Sequence, residues 1–279
     1  MIDETAAEIS GMQTHSSSII SIRAAEALRE LLERDYATIE EFIRDLDRNS
    51  AALRRADPSH ASLYSTQHKI VNRVSESEPS SLGAAKQELT TAIEDTVQSI
   101  EVGKESAAEL AAEYLQDDVR ILTHDYSSTV IRAIEIAASG GALLDVVVPE
   151  ARPRLIGRKT ARELASLDNV DVTLIVDNAA GSMLATCDLL LIGMTCVVDD
   201  TLYNRIGTFP LVVMSNYLNV PAYATGSSEK VISGNFRFEN DYRDAIEVLL
   251  EPSEGFRIEN PAYDATPVAL FDDILTGHS

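Results

Sequence analysis

At Asp117 the hydrophobic rhythm of this 279-residue chain changes, and the change demands a fold built of two unlike parts. Before it, apolar residues recur at helical spacing. Ile19, Ile20, Ile22, Ala25, Leu28, Leu31 and Leu32 keep a 3.6-residue rhythm, with Ser16, Ser17 and Ser18 ahead of them as candidate caps. The pattern predicts further helices over 38–55, ending before Asp57-Pro58, over 62–74 and over 83–115, with a loop at 76–82 around Pro79. After Asp117, short β-rich runs at 119–123, 144–148, 172–176, 189–192 and 221–225 alternate with helices that start near 127, 157, 179 and 208. The longest apolar run, 189–198, reads as one buried strand, and 221–225 as the last strand. Short, continuously apolar strands spaced by helices describe a parallel sheet covered on both faces. The fold class is therefore α/β, with a helical domain over 1–116 followed by a parallel-sheet domain over 117–279.

Charge narrows the partners. The chain carries 45 acidic against 23 basic residues, a net charge of −22, and the acids are spread through every segment. A dispersed acidic surface predicts a protein kept soluble by charge in a salt-rich cytoplasm. It also argues against direct nucleic-acid binding, because phosphates require a basic face. No apolar run approaches the roughly 18–20 residues needed to span a bilayer, and the opening Met1-Ile2-Asp3-Glu4 is no signal peptide. Two cysteines, Cys187 and Cys196, make no disulfide framework, and no Cys/His spacing suggests a metal.

Ligands of parallel α/β sheets bind beyond the carboxyl ends of the strands, so the residues there are the candidates. The first strand leads into His124, Asp125, Ser127 and Ser128, the second into Glu150 and Arg152, and the third into Asp177. The fourth leads through Gly193-Met194-Thr195 to Asn204, Arg205, Gly207 and Thr208. Gly207-Thr208 opening a helix offers backbone N–H groups to an anion, and Arg152 and Arg205 offer fork-shaped charged donors. Each also has a plainer reading. The serines serve as a helix cap, His124 as a hydrogen-bonded core residue, Glu150 with Arg152 as an ion pair, and Asp177 as a turn cap.

In order along the chain, Thr123-His124-x-x-Ser127, Glu150-x-Arg152-Pro153 with Gly157, Asp177-x-Ala179, Asn204-Arg205-Ile206-Gly207-Thr208 and Asp264-x-Thr266-Pro267 resemble the signatures of the translation initiation factor 2B alpha/beta/delta family. That resemblance implies a helical domain on a Rossmann-like domain, a homodimer through the latter, and contact with initiation factor 2 or related subunits. The family also contains isomerases of aldose 1-phosphates, which use a cysteine and an aspartate as acid/base pair and an N-terminal Arg-Gly-Ala loop. Here those places hold Asp125, Thr195 and the string Thr14-His15-Ser16-Ser17-Ser18. Threonine exchanges no proton near neutral pH. The resemblance with these departures predicts a non-catalytic subunit that binds a phosphorylated small molecule and a protein partner, without a cofactor. The alternative is a sugar-phosphate isomerase that uses His124 and Asp125.

Overall fold

The computed structural model describes residues 1–11, 16–232, 236–251 and 254–277. Thr14 and His15, from the N-terminal string, lie outside the described residues. Two compact units emerge, Met1–Val102 and Gly103–Ser279.

The first unit is helical. It contains α1 (Ile2–Ser10), α2 (Ser17–Ala27) continued by a 3₁₀ segment to Glu33, α3 (Ile39–Ala56), α4 (Ala61–Glu76) and most of α5 (Leu82–Ala112). In α3 the residues Phe42, Leu46 and Leu53 share one face and are fully buried, while the opposite face is charged. Thr38 caps that helix by accepting a hydrogen bond from the Glu41 N–H at 3.2 Å, and Arg54 and Arg55 close it against its dipole. His60 caps α4 through Nδ1, which accepts from Leu63 N–H at 3.0 Å. Leu63, Ile70 and Val74 of α4 join Ala24, Leu28 and Phe42 in a single core.

The second unit holds a parallel sheet of β1 (Val119–Leu122), β2 (Leu144–Pro149), β3 (Val170–Ile175), β4 (Leu189–Gly193), β7 (Ala222–Thr225) and β10 (Asp273–Leu275). Its order, β10-β7-β4-β1-β2-β3, reverses direction between β1 and β4. Alternate residues of each strand face opposite sides of a sheet, and both sides are apolar here. Ile121, Val146, Val148, Leu189 and Leu191 pack under α6 (Ser128–Ser139), α7 (Gly157–Leu164) and the last turns of α5. Leu122, Val147, Leu190 and Ile192 pack under α8 (Ala180–Leu184) and α9 (Thr208–Leu218). This is the expected helical domain followed by a Rossmann-like α/β domain.

Two strand expectations need correction. The run 189–198 is not one strand. β4 ends at Gly193, and β5 (Cys196–Val198) joins a second sheet ordered β8-β5-β6-β9, with β6 (Thr201–Arg205), β8 (Val231–Ile232) and β9 (Tyr263–Pro267). All ten residues of the run are buried, so hydropathy alone could not mark the break. Nor is 221–225 the last strand, since β8, β9 and β10 follow it. β10 pairs with β7 over only three residues, too short a run to carry a periodic signal. Among the described residues no helix is long and apolar enough to cross a membrane.

Candidate functional site

The reversal between β1 and β4 opens a crevice at their carboxyl ends, where doubly wound sheets bind ligands. Asp125 follows β1 and Thr195 follows β4, so both flank this crevice. The strands approach closely there. A Cβ added to Gly193 would collide with the Ser127 side chain, which holds glycine at the end of β4.

His124 is buried at 4% exposure, and its Nε2 lies 2.9 Å from the Ile206 carbonyl. A carbonyl only accepts, so Nε2 carries the proton, while Nδ1 is buried without a hydrogen-bond partner. The ring lies against Gly207, whose φ of 104° and lack of space for a Cβ both require glycine. His124 therefore fixes the turn before α9. Asp125 has φ 61°, its carbonyl accepts from Thr160 Oγ1 at 2.6 Å, and its carboxylate lies 3.8 Å from Arg205 Nε. The Arg205 guanidinium sits 4.6 Å from the centre of the Tyr263 ring, an arrangement that favours a cation over an aromatic face.

The remaining candidates divide into framework and pocket. Ser127 caps α6 by accepting from Val130 N–H at 3.3 Å, and Ser128 is the first residue of that helix. Glu150 pairs with Arg158 at 2.7 Å and not with Arg152. The two oxygens of Asp177 accept from the backbone N–H groups of Ala151 and Arg152, each at 2.8 Å, so Asp177 clamps the loop after β2 instead of capping a turn of its own. Thr195 donates to Asn204 Oδ1 at 3.4 Å, Asn204 donates to Thr208 Oγ1 at 3.1 Å, and Thr208 donates to the Arg205 carbonyl at 2.7 Å.

The start of α9 is not an open anion cradle. Its Gly207 and Phe209 N–H groups, at 2.8 and 3.0 Å, both donate to Asp264 Oδ2, so a side chain from β9 already holds the place expected for a phosphate. Arg152, His124, Asp177 and Gly207 line a groove of about 400 Å³, together with apolar Leu211 and Met214. Arg205 faces Asp125 and Tyr263 instead. Thus Arg152 and Gly207 share a cavity, whereas Arg205 belongs to the crevice beside Asp125.

One residue absent from the sequence reading stands out. Lys230 is buried at 6% exposure, and its Nζ donates to the Met194 carbonyl at 2.9 Å, one residue before Thr195. Burial pushes its pKa down to about 8, with the nearby Cys196 acting in the opposite direction. Burial likewise raises the Cys196 thiol to about 12, so that cysteine is an inert core residue at neutral pH. Lys230 follows the turn-rich stretch Thr225-Gly226-Ser227-Ser228, and no periodic pattern flags it.

Comparison with known proteins places this arrangement. The chain is 30% identical to a ribose 1,5-bisphosphate isomerase of Haloferax volcanii, over 99% of this chain and 87% of that one. It is 27% identical to one of Methanocaldococcus jannaschii, over 99% and 90%. Among solved structures it superposes on a translation initiation factor eIF-2B from Pyrococcus horikoshii with a TM-score of 0.83 at 22% identity, covering 99% of this chain and 94% of that one. On a 5-methylthioribose 1-phosphate isomerase from the same organism the TM-score is 0.82 at 23% identity, covering 99% and 82%. The expectation of a non-catalytic initiation-factor subunit is overturned here. Six matched relatives, 26–30% identical over nearly the whole chain, are all named ribose 1,5-bisphosphate isomerase. Beyond the ends of β1 and β4 the structure pairs the Asp125 carboxylate with Arg205 and sets the buried Lys230 amine on the Met194 carbonyl. The model of the Initiation factor 2 subunit family matches residues 13–278, and the chain belongs to that family.

Proposed function

We propose that the chain is an aldose–ketose isomerase acting on a phosphorylated pentose of the ribose 1,5-bisphosphate type. The observation that carries this reading is the 30% identity, spanning 99% of the chain, to an enzyme of that name. Residues suited to proton transfer at the β1/β4 crevice support it. The reaction needs a proton for the ring oxygen as the C1–O bond breaks. It then needs removal of the C2 hydrogen and of the C2 hydroxyl proton, and delivery of a proton to C1. An amine whose pKa is near 8 is mostly protonated at neutral pH, so Lys230 gives the first proton and recovers it from the hydroxyl. The Asp125 carboxylate takes the C2 proton and returns it to C1. Arg205, 3.8 Å from that carboxylate, offsets its repulsion of the substrate phosphates. His124, with Nε2–H committed to Ile206, is a positioning residue.

Conversion of ribose 1,5-bisphosphate is the direct test. Wild type should produce the ketose, and Asp125→Asn should lose about 10²–10⁴ in kcat, the usual contribution of a general acid or base. No conversion by wild type between 0.1 and 3 M potassium chloride would sink the isomerase reading, and full activity of Asp125→Asn would remove Asp125 from the chemistry.

A second copy of the chain is the proposed protein partner. α9 turns Leu211, Val212 and Ser215 to the sheet but leaves Phe209, Val213, Met214 and Tyr217 exposed, the last at 81%. Covering the sheet accounts for only one of its two apolar faces, and the other suits an interface.

A further inference from the structure

We propose that Arg154 and Arg243 form a phosphate subsite beside the crevice, in which the Glu247 carboxylate stands in for the phosphate. The ligand class is a phosphate monoester, and its source under the isomerase reading is the second phosphate of the substrate. Glu247 Oε1 lies 3.8 Å from Arg154 Nε and 3.7 Å from Arg243 Nε, so one carboxylate oxygen faces two guanidiniums beyond hydrogen-bond reach of either. Its other oxygen accepts from Asn260 Nδ2 at 3.3 Å. Asp241 pairs with Arg243 through Nη1 at 3.0 Å, yet the Arg243 Nε is buried with no hydrogen bond. Buried guanidinium N–H groups are almost always satisfied. A tetrahedral anion, with more oxygens and more charge than one carboxylate, would satisfy the Arg243 Nε–H.

The subsite is electrostatically continuous with the crevice. Burial lowers the Arg154 pKa, Glu247 opposes that shift, and Arg243, Arg205 and Asp125 also act on the same guanidinium. Arg243, Arg205 and Asp125 thus all lie within electrostatic range of Arg154, in a chain of net charge −22. The segment that brings Glu247 also rests on the loop after β2, where Arg152 Nη2 donates to the Val248 carbonyl at 3.3 Å.

Calorimetric titration with inorganic phosphate at constant ionic strength tests this without any enzymatic activity. Glu247→Gln should bind phosphate about tenfold tighter than wild type, because a like charge leaves the site. The double variant Glu247→Gln/Arg154→Gln should lose that gain. Equal phosphate affinity in wild type and Glu247→Gln would overturn the subsite, as would a double variant that binds as tightly as the single. Should Glu247→Gln show no cooperative melt, Arg154→Gln alone decides, and wild-type phosphate affinity in that variant would overturn the proposal. Kinetics separates the sources. A KM lowered in Glu247→Gln for ribose 1,5-bisphosphate but unchanged for ribose 1-phosphate assigns the phosphate to the substrate. Phosphate binding that leaves both KM values unchanged assigns it to a separate phosphorylated effector. Failure of the isomerase assay leaves the phosphate titration standing, so the two readings fail separately.

Discussion

Lys230 shows how much of a site can hide in one residue. Its ammonium has a backbone carbonyl as hydrogen-bond partner and is almost wholly buried, which disfavours the charged form. The folded-state pKa of about 8 lies below the ordinary 10.5, so between those values the unfolded chain binds more protons than the folded one. Stability contributed through this group therefore rises with pH across that window, and the penalty is fully present below pH 8. Lys230→Met should be more stable than wild type at pH 7, with the gap narrowing by on the order of 3 kcal/mol by pH 10. Urea denaturation at both pH values measures it, and a gap that stays constant would mean that the amine is not buried as a cation. The neighbouring candidates were easier to read. Ser127 sits before a helical run and caps it, as local spacing implied. Asp177, a candidate ligand residue or turn cap by its place after the third strand, accepts from the amides of 151 and 152 on another loop, which no local rule could supply.

At the level of elements, α9 illustrates a start that depends on a distant strand. Gly207 before Thr208 announced a helix N-terminus, and its φ of 104° and its contact with His124 explain the glycine. The cap itself comes from Asp264 on β9, 57 residues away. A carboxylate accepting two N–H groups at the positive end of a helix stabilises it by about 1–2 kcal/mol. Asp264→Ala should lower stability by that amount, and Asp264→Asn by less, since the amide oxygen still accepts. Equal stability of Asp264→Ala and wild type in urea would show that water replaces the cap at no cost. β9 is in place because it pairs antiparallel with β6, in register Asn204 to Asp264 and Arg205 to Tyr263. That register sets Tyr263 under the Arg205 guanidinium and Asp264 at the helix start. The small sheet thus builds the crevice wall, although the unbroken apolar run 189–198 hides the start of its strand β5.

Over the whole molecule, charge and exposed apolar surface set the solution behaviour. With 45 acidic against 23 basic residues the folded chain repels itself. The Debye length falls from about 10 Å at 0.1 M to about 3 Å at 1 M salt, so added salt relieves that repulsion. The melting temperature should rise between 0.1 and 2 M potassium chloride. The same series read by light scattering should give twice the chain mass throughout, through the exposed face of α9. A flat or falling melting curve would count against adaptation to salt, and a monomer mass against the dimer.

Periodicity is a local property, so the sequence by itself determined the helical first part, the alternation of strands and helices after Asp117, and the loops at the strand ends. Each of these depends on residues a few positions apart, and apolar spacing records them directly. The tertiary structure alone decided which of those loop residues meet. Arg205 joins Asp125 across 80 positions and Lys230 reaches Met194 across 36. Glu247 stands between Arg154 and Arg243, and Asp264 takes the helix start that had been assigned to an anion. Ion pairs and caps of this kind form between residues whose separation in the chain carries no periodic signal. They follow from the strand order and register of two sheets, and those are set by the packing of whole elements.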